Sequence, residues 1–263
     1  MGISNMYEHE CEIAARAARS AGEVLKAKFG KVQHIVKKGE IDLVTDADLA
    51  AEEIVLEMLR NHFPKDNILS EEAGIRDGSS ERNWIVDPLD GTTNFAHGFP
   101  FFAVSIALEV EKEIVLGIVY NPFMGEFFEA QKGEGSFLNG TPIHVSNARK
   151  LSDSLLSTGF PYDIRERSNR IFERFKAMVV SCQGVRRGGS AAVDMCYVAA
   201  GRLDGHWEEN LKPWDTAAGV VIVSEAGGRL STFDGQPFTP YQKSVIACTP
   251  MIHGDMVEAL AEK

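Results

Sequence analysis

The chain has 263 residues, of which 44% are hydrophobic and 25% charged, and its formal net charge is −11. This length suits one large unit or two fused halves, with a core that needs no disulfide or metal to stay folded. The acidic balance argues against a general nucleic-acid binder, which usually carries a basic face. It does not exclude an anionic substrate, because bound cations can reverse the sign of an acidic cleft.

Targeting signals and cysteine usage both favour a cytoplasmic protein. The N-terminus shows no apolar core with a small-residue cleavage pattern, so no signal peptide is expected. No uninterrupted apolar run reaches the roughly 18 residues that a membrane span needs. The cysteines are scattered without a C-x-x-C pair, so we expect free thiols and no zinc site; they are Cys11, Cys182, Cys196 and Cys248.

The first half begins with two predicted helices and continues as β structure. Apolar residues at near-helical spacing predict helices over 6–29 and 48–61, followed by Gly30 and Pro64. Short apolar or alternating runs between polar turns predict the strands that follow, over 67–69, 83–86, 103–109, 114–120 and 126–130. Asn139-Gly140 between 136–138 and 142–145 predicts a hairpin.

After about residue 150 the pattern changes to alternating strands and helices. Strands are predicted over 154–158 and 244–248, and helices over 165–180, 190–200 and 216–226. We therefore expect an N-terminal α+β half, 1–150, and a C-terminal α/β half, 151–263. No flexible linker separates them, so the halves are predicted to pack as one catalytic unit.

The segment Asp87-Pro88-Leu89-Asp90-Gly91-Thr92-Thr93 carries the strongest chemical signal. Pro88 forces Asp87 towards an extended conformation, so we expect the preceding strand to end at Asp87. Two carboxylates at the carboxyl end of a strand can share a hard cation such as Mg²⁺. The turn between them leaves the Leu89 carbonyl available as a further oxygen ligand.

The same segment offers a cradle for phosphate. Gly91 lets an anion approach the backbone, and Thr92 with Thr93 can begin a helix whose first N–H groups face that anion. A capped turn with solvated aspartates is the alternative, but such a turn does not need Asp, Asp, Gly and Thr together. The segment therefore predicts a magnesium-dependent phosphatase acting on a small phosphate monoester.

Two further acidic segments could complete a site for several ions. Glu71-Glu72 follows the strand predicted over 67–69, and Asp215 lies within Lys212-Pro213-Trp214-Asp215-Thr216-Ala217-Ala218-Gly219. Alone, each signal is weak. Adjacent glutamates in a loop are usually solvated, and an aspartate before an apolar helix is usually an N-cap.

Together, these three segments resemble the inositol monophosphatase family of lithium-sensitive, magnesium-dependent phosphomonoesterases. The Glu-Glu pair and the runs Asp-Pro-Leu-Asp-Gly-Thr-Thr-Asn-Phe and Trp-Asp-x-Ala-Ala-Gly stand in the family's order and at similar spacing. The resemblance extends from Asp42-Leu43-Val44-Thr45 to Glu225-Ala226-Gly227-Gly228. It implies a layered αβαβα sandwich of the inositol monophosphatase/fructose-1,6-bisphosphatase type, a homodimer, and hydrolysis of inositol 1-phosphate by metal-activated water.

The resemblance also implies roles for individual residues. A first Mg²⁺ would be held by Glu71, Asp87 and the Leu89 carbonyl, and a second by Asp87, Asp90 and Asp215. Glu71 with waters would hold a weaker third ion. The catalytic set would be Glu71 with Thr92, which helps to activate the attacking water, and Asp48, which supports Thr92. Lys37 or Lys38 stands where family members often carry a basic residue.

Substrate contacts are expected mainly from the C-terminal half. Gly188-Gly189-Ser190-Ala191 precedes a predicted helix, where backbone N–H groups could meet sugar hydroxyls. Glu208 resembles the family's hydroxyl-binding glutamate, and Arg186 is a further candidate. The alternatives are a helix cap for Ser190 and surface charges for Glu208 and Arg186. From the metal segment, the substrate set adds Asp90, Gly91, Thr92 and Asp215.

Other phosphate enzymes fit the chain less well. Pro88 stands where aspartyl-phosphate phosphatases need their nucleophile, and Thr141 stands where a P-loop needs lysine. Within the superfamily, fructose-1,6-bisphosphatase or a broad sugar phosphatase is the alternative. Glu208 favours a polyol, since a carboxylate there would repel a second phosphate. The alternative from another class is a non-catalytic regulator that binds a protein or RNA partner.

Overall fold

The computed structural model describes residues 6–31, 35–37, 43–161 and 163–261. The positions Asp42 and Lys38 of the family motif lie outside the described residues. Lys37 ends a short strand, β1 (Ile35–Lys37), which pairs with β2 (Leu43–Thr45). No helix within the described segments is both long and apolar enough to cross a membrane.

Two helices, α1 (Glu8–Lys28) and α2 (Asp46–His62), cover one face of a large sheet. Both predicted helices are confirmed, with small shifts at their ends. Alanines at helical spacing are fully buried on α1, which lets it pack closely. Helix α2 begins two residues earlier than predicted because Thr45 caps it: Thr45 Oγ1 accepts from Ala47 N (3.1 Å), and Asp48 Oδ2 accepts from Thr45 N (2.8 Å).

The large sheet has eight strands in the order β10-β9-β8-β7-β6-β5-β3-β4. Their bounds are β3 Asn67–Ser70, β4 Gly74–Arg76, β5 Arg82–Asp90, β6 Ala103–Val110, β7 Glu113–Asn121, β8 Glu126–Gln131, β9 Gly135–Leu138 and β10 Thr141–Pro142. The predicted hairpin is confirmed, since Asn139 (φ 51°) and Gly140 (φ 75°) both adopt the left-handed conformation that a two-residue turn requires.

The expectation that β5 ends at Asp87 is wrong. The strand continues to Asp90, and its pairing with β6 shifts: Asp87 pairs with Ser105, whereas Asp90 pairs with Ala103. Three steps along β5 therefore match two along β6, which is a one-residue bulge. A bulge tolerates Pro88 because a residue there need not donate an N–H group to the ladder.

The second sheet has five strands in the order β12-β11-β13-β15-β14. Their bounds are β11 Leu155–Thr158, β12 Gly184–Arg186, β13 Gly205–Glu209, β14 Arg229–Ser231 and β15 Ser244–Cys248. Helices α5 (Ala191–Ala199) and α6 (Pro213–Glu225) lie between the two sheets, and α4 (Ile164–Ser181) and α7 (His253–Leu260) cover the outer side.

These layers confirm the predicted αβαβα sandwich. Three apolar clusters fill it: one under α1 and α2, one between the sheets around α5 and α6, and one under α4 and α7. The central cluster joins residues from both halves, including Val119 of the large sheet and Ala247 of the small one. The boundary near residue 150 stays a prediction.

Candidate active site

A cleft of about 190 Å³ lies where the carboxyl ends of β3 and β5 meet the start of α6. Glu71 directly follows β3, and its N–H donates to Val86 O of β5 (3.2 Å), which places it beside Asp87. Asp215 arrives from the other half, in the first turn of α6, where its Oδ2 accepts from Lys212 N (2.6 Å). The aspartate therefore lies inside the helix, not at the N-cap position.

The acidic residues of this cleft form one cluster. Asp87, Asp90 and Asp215 each offer a carboxylate oxygen within 4.8 Å of the others. Asp87 and Asp90 are 1% and 8% exposed. The Glu71 side chain hydrogen-bonds to that of Asp87, whose Oδ1 also accepts from Leu89 N (3.0 Å). The structure thus brings together the four carboxylates named from the sequence, and Leu89 lines the same cleft.

Burial and mutual repulsion shift the pKa values of these carboxyls upward. Burial is the main cause of the raised pKa of Asp87, followed by the charges of Glu71, Asp90 and Asp215. Burial likewise raises the pKa of Asp215 well above its ordinary value, with Asp90 the next cause. Burial raises the pKa of Asp90 to about 6, opposed by hydrogen bonds from Ser190 and Ala192. Buried acids this close need a cation to remain ionised together.

The donor set fits a hard divalent cation. Every donor in the cluster is a carboxylate oxygen, with the Leu89 residue alongside, and no histidine or cysteine of the described segments belongs to it. Oxygen-only ligands suit Mg²⁺, whereas nitrogen and sulfur ligands would favour zinc. The residues present therefore fit the ion expected from the sequence.

Thr92 and Asp48 form a hydrogen-bonded pair beside the cluster. Thr92 Oγ1 lies 3.0 Å from Asp48 Oδ1 and 3.0 Å from Leu89 O, either of which can accept its proton. Asp48 is 1% exposed and also accepts from the Thr45 hydroxyl (2.5 Å). Burial raises the pKa of Asp48, opposed by the hydrogen bonds from Thr45. Thr92 lines the cleft, and Asp48 lies behind it.

Gly91 is the N-cap residue of helix α3 (Thr92–Ala96) and has a left-handed backbone, φ 93°. A Cβ at this position would lie 3.0 Å from Phe101 O and 3.3 Å from Gly189 O. Glycine is therefore required both by the backbone angle and by the space. Gly91, Thr92 and Thr93 all line the cleft, as the predicted phosphate cradle requires.

The start of α5 supplies part of the opposite wall. Ser190 caps α5 by accepting from Val193 N (3.3 Å) and donates its hydroxyl to Asp90 Oδ2 (2.6 Å). Ala192 N donates to the same oxygen (2.8 Å). Ser190, Ala191 and Glu208 line the cleft. Ser190 is thus both a helix cap and a partner of the acidic cluster.

Arg186 is placed differently from the other predicted substrate residues. It is exposed at the end of β12, donates to Val185 O (3.2 Å), and is not among the residues that line the cleft. Its neighbour Arg187 lines the cleft, so the geometry favours Arg187. A substrate contact by Arg186 stays a prediction.

Sequence reasoning missed three residues near the cleft. Asp194 lines it and follows Ser190 by four positions, so helical spacing could have found it. Burial raises the pKa of Asp194 to about 7, opposed by the charge of His206. His206 lies fully buried behind the wall, and Glu52 binds the turn that carries Glu71. No pattern in the sequence singles out these last two.

Comparison with known proteins agrees with this site. The model of the inositol monophosphatase family matches residues 6–263. An inositol-1-monophosphatase of Synechocystis is 45% identical over 95% of this chain and 88% of its own length. A protein named Nus factor SuhB, from Pasteurella multocida, is 41% identical over 91% of each chain.

Solved structures give the same result. The extragenic suppressor protein SuhB of Bartonella henselae superposes with a TM-score of 0.93 at 40% identity, covering 97% of this chain and 99% of that one. The inositol monophosphatase of Anabaena superposes with a TM-score of 0.88 at 41% identity, covering 96% and 95%. With its carboxylate cluster, its Thr92–Asp48 pair and these likenesses, the chain belongs to the inositol monophosphatase family and is a phosphoric monoester hydrolase.

Proposed function

We propose that the protein hydrolyses a small polyol phosphate, with inositol 1-phosphate as the preferred substrate, and that it uses Mg²⁺. The observation that carries this proposal is the placement of four carboxylates, Glu71, Asp87, Asp90 and Asp215, beside the Thr92–Asp48 pair in one cleft. The inositol-1-monophosphatase names of several relatives support the choice of substrate.

The carboxylate cluster would hold the metal. Glu71, Asp87 and the Leu89 carbonyl would bind one ion, and Asp87, Asp90 and Asp215 a second; a third would rest on Glu71 and water. Bound Mg²⁺ would supply Lewis-acid activation of water and neutralise charge on the phosphoryl group and the leaving oxygen. The protein's part is to hold these carboxylates close together.

Thr92 would orient the attacking water. Its only hydroxyl proton is taken by Asp48 Oδ1 or Leu89 O, each 3.0 Å away. The oxygen of Thr92 is then free to accept a hydrogen from water in the cleft. Asp48 keeps Thr92 in this orientation, and its own position is set by two hydrogen bonds from Thr45. This pair acts through orientation and proton transfer at Thr92 Oγ1.

Glu208 would bind substrate hydroxyls on the other side of the cleft. A carboxylate accepts hydrogen bonds from a polyol and repels a second phosphate. The main alternative is a fructose-1,6-bisphosphatase or a broad sugar phosphatase. One observation favours it: Arg187 and Lys212 also line the cleft and could bind a second phosphate.

Several relatives carry the name Nus factor. That name is the reason to keep the alternative of a non-catalytic regulator that binds a protein or RNA partner. A complete carboxylate cluster disfavours that role as the only one, since a purely regulatory protein has no need to keep it. The homodimer, the cytoplasmic location and lithium sensitivity stay predictions from the family.

A phosphate-release panel tests the proposed function. Purified protein is assayed with inositol 1-phosphate, fructose 1,6-bisphosphate, glycerol 2-phosphate and nucleotides, with Mg²⁺ and with EDTA. We expect the highest kcat/KM for inositol 1-phosphate. We expect no phosphate release from any substrate in EDTA. A preference for the bisphosphate would favour the alternative, and no Mg²⁺-dependent release from any substrate would refute the enzymatic proposal.

A further inference from the structure

The Glu208 carboxylate occupies a space that only glycine leaves open. Glu208 lies on β13, and Gly159 follows the neighbouring parallel strand β11. A Cβ built on Gly159 would lie 2.0 Å from Glu208 Oε1 and 2.3 Å from Oε2. The backbone of Gly159 does not have a positive φ, so its conformation does not itself require glycine. The requirement comes from the carboxylate.

A buried histidine lies behind the same carboxylate. His206 precedes Glu208 by two residues on β13, so both side chains point to one face of the sheet. His206 is fully buried. Its Nδ1 lies 3.0 Å from Ser157 Oγ of β11, and its Nε2 lies 3.5 Å from Glu208 Oε2. The separation of 3.5 Å is that of an ion pair without a hydrogen bond between the two atoms.

The polar surroundings of His206 favour this pairing. Among the residues that the structure describes, His206 Nε2 has no hydrogen-bond partner. A buried N–H without a partner is costly, so the attraction of Glu208 is its main compensation. Burial lowers the pKa of His206, but Glu208, Asp194 and Asp90 together outweigh it and raise the pKa. Ser157 on one side and Glu208 on the other therefore fix the ring.

We propose that Gly159 and His206 are positioning residues that fix the Glu208 carboxylate as the acceptor for hydroxyl groups of the substrate. Gly159 leaves the space for the carboxylate, and His206 holds it by charge from behind. His206 would not touch the substrate, and Gly159, which borders the cleft, would act through the room that it leaves for the carboxylate. The inference rests on the proposed polyol phosphatase activity. It attributes the enzyme's preference for polyol substrates to residues at the paired strands β11 and β13.

The test compares two monoesters that differ in hydroxyl groups. Inositol 1-phosphate offers ring hydroxyls to Glu208, whereas phenyl phosphate has none. For His206→Phe and Gly159→Ala we expect KM for inositol 1-phosphate to rise about ten- to a hundred-fold, the range for losing a hydrogen bond to a charged group. We expect kcat to stay within about two-fold, and both constants for phenyl phosphate to be unchanged.

Matched controls exist within the chain. His253→Phe replaces another buried histidine, which forms a hydrogen bond with Ser231 and does not line the cleft. Gly254→Ala replaces a glycine with open space around its Cβ and no positive φ. Neither control should alter the ratio of the two substrates. Glu208→Gln should raise KM for inositol 1-phosphate alone, and adding His206→Phe to it should raise KM little further, since both act through one carboxylate.

The outcomes separate the inference from the function on which it rests. If the unmodified protein does not hydrolyse inositol 1-phosphate, the proposed function fails and the inference with it. If the unmodified protein does so, but His206→Phe and Gly159→Ala leave the substrate ratio unchanged or slow both substrates equally, only the inference is refuted. Mg²⁺ binding measured by calorimetry should remain unchanged in both variants, and if one variant does not fold, the other decides.

Discussion

Asp90 links the carboxylate cluster to the helix layer between the two sheets. Its Oδ2 accepts from Ser190 Oγ (2.6 Å) and Ala192 N (2.8 Å), both from the start of α5. The residue also belongs to the cluster with Asp87 and Asp215. The Asp90 side chain thus connects the expected metal site to the start of α5. Its negative charge would attract the cation and also accepts the hydrogen bonds from Ser190 and Ala192.

We predict that Asp90→Asn reduces Mg²⁺-dependent turnover by about 100-fold or more, since loss of even an outer-shell partner of a metal ligand costs about 10- to 100-fold. The amide oxygen can still accept from Ser190 and Ala192, which turns the NH₂ group towards the cation. Kinetics and calorimetric Mg²⁺ titration measure the loss. Asp77→Asn, at an exposed position, is the control. Near-normal turnover of Asp90→Asn would contradict the metal assignment.

At the scale of elements, α2 holds the turn that carries Glu71. Glu52 of α2 is buried, and its Oε1 accepts from Ser70 Oγ (2.5 Å), Glu72 N (3.1 Å) and Ala73 N (2.9 Å). These donors stand on both sides of Glu71. The position of Glu71 in the cleft therefore depends on a carboxylate of a different element.

We predict that Glu52→Ala weakens Mg²⁺ binding by about ten-fold or more, because it releases the turn and leaves its donors unpaired. Glu52→Gln retains a carbonyl oxygen and should bind Mg²⁺ nearly normally. Calorimetric titration gives the affinity, and activity at high Mg²⁺ should recover in Glu52→Ala. The exposed neighbour Glu53→Ala is the control. Equal Mg²⁺ affinities for Glu52→Ala and Glu53→Ala would exclude this role.

Elements with a clear apolar pattern could be predicted from the sequence, and buried polar ones could not. The strand predicted over 83–86 and the helix predicted over 190–200 are mostly apolar, so both could be found. Strand β13, Gly-His-Trp-Glu-Glu, is buried at every position although three of its residues are ionisable. Its burial comes from α5 and from neighbouring strands, which no local pattern reveals.

The site shows the same division. Glu71 directly follows β3, and Asp87 and Asp90 lie in the last four residues of β5, within short motifs that identify them. Gly159 and Glu208 are 49 positions apart in the sequence, and so are Ser157 and His206. Both pairs meet because β11 and β13 are parallel neighbours. Such contacts depend on the register of parallel strands, which the sequence does not specify. The choice between Arg186 and Arg187 depends in turn on which of them faces the cleft.

For the whole molecule, layering places acids from both halves in one buried volume. Burial raises the pKa of Asp90 to about 6 and that of Asp194 to about 7, and it raises the pKa values of Asp87 and Asp215 well above their ordinary value. A carboxyl with a raised pKa holds more protons in the folded state than in the unfolded state. Its contribution to the free energy of unfolding therefore falls as pH rises from about 4 to 7 when no cation is bound.

We predict that Mg²⁺ stabilises the fold more as pH rises from about 4 to 7. At the lower pH the ion must displace protons from the carboxyls, whereas at the higher pH it relieves the repulsion between carboxylates. Between pH 5 and 7 the difference in unfolding free energy between Mg²⁺ and EDTA should increase by about 1–3 kcal/mol. Chemical denaturation in Mg²⁺ and in EDTA at several pH values measures this difference. Groups that titrate away from the site contribute equally in both conditions, so their contributions cancel. An Mg²⁺ effect that is constant with pH would contradict the prediction.

The bulge in β5 has a consequence for the geometry of the cluster. Side chains alternate between the faces of a strand, so residues three apart normally point in opposite directions. Asp87 and Asp90 are three apart, yet their partners Ser105 and Ala103 are two apart and share a face. The extra residue changes the parity of the strand and turns both carboxylates to the same side. In a regular strand that kept the spacing of three residues, one of the two aspartates would point to the opposite face, towards the apolar layer beneath α2.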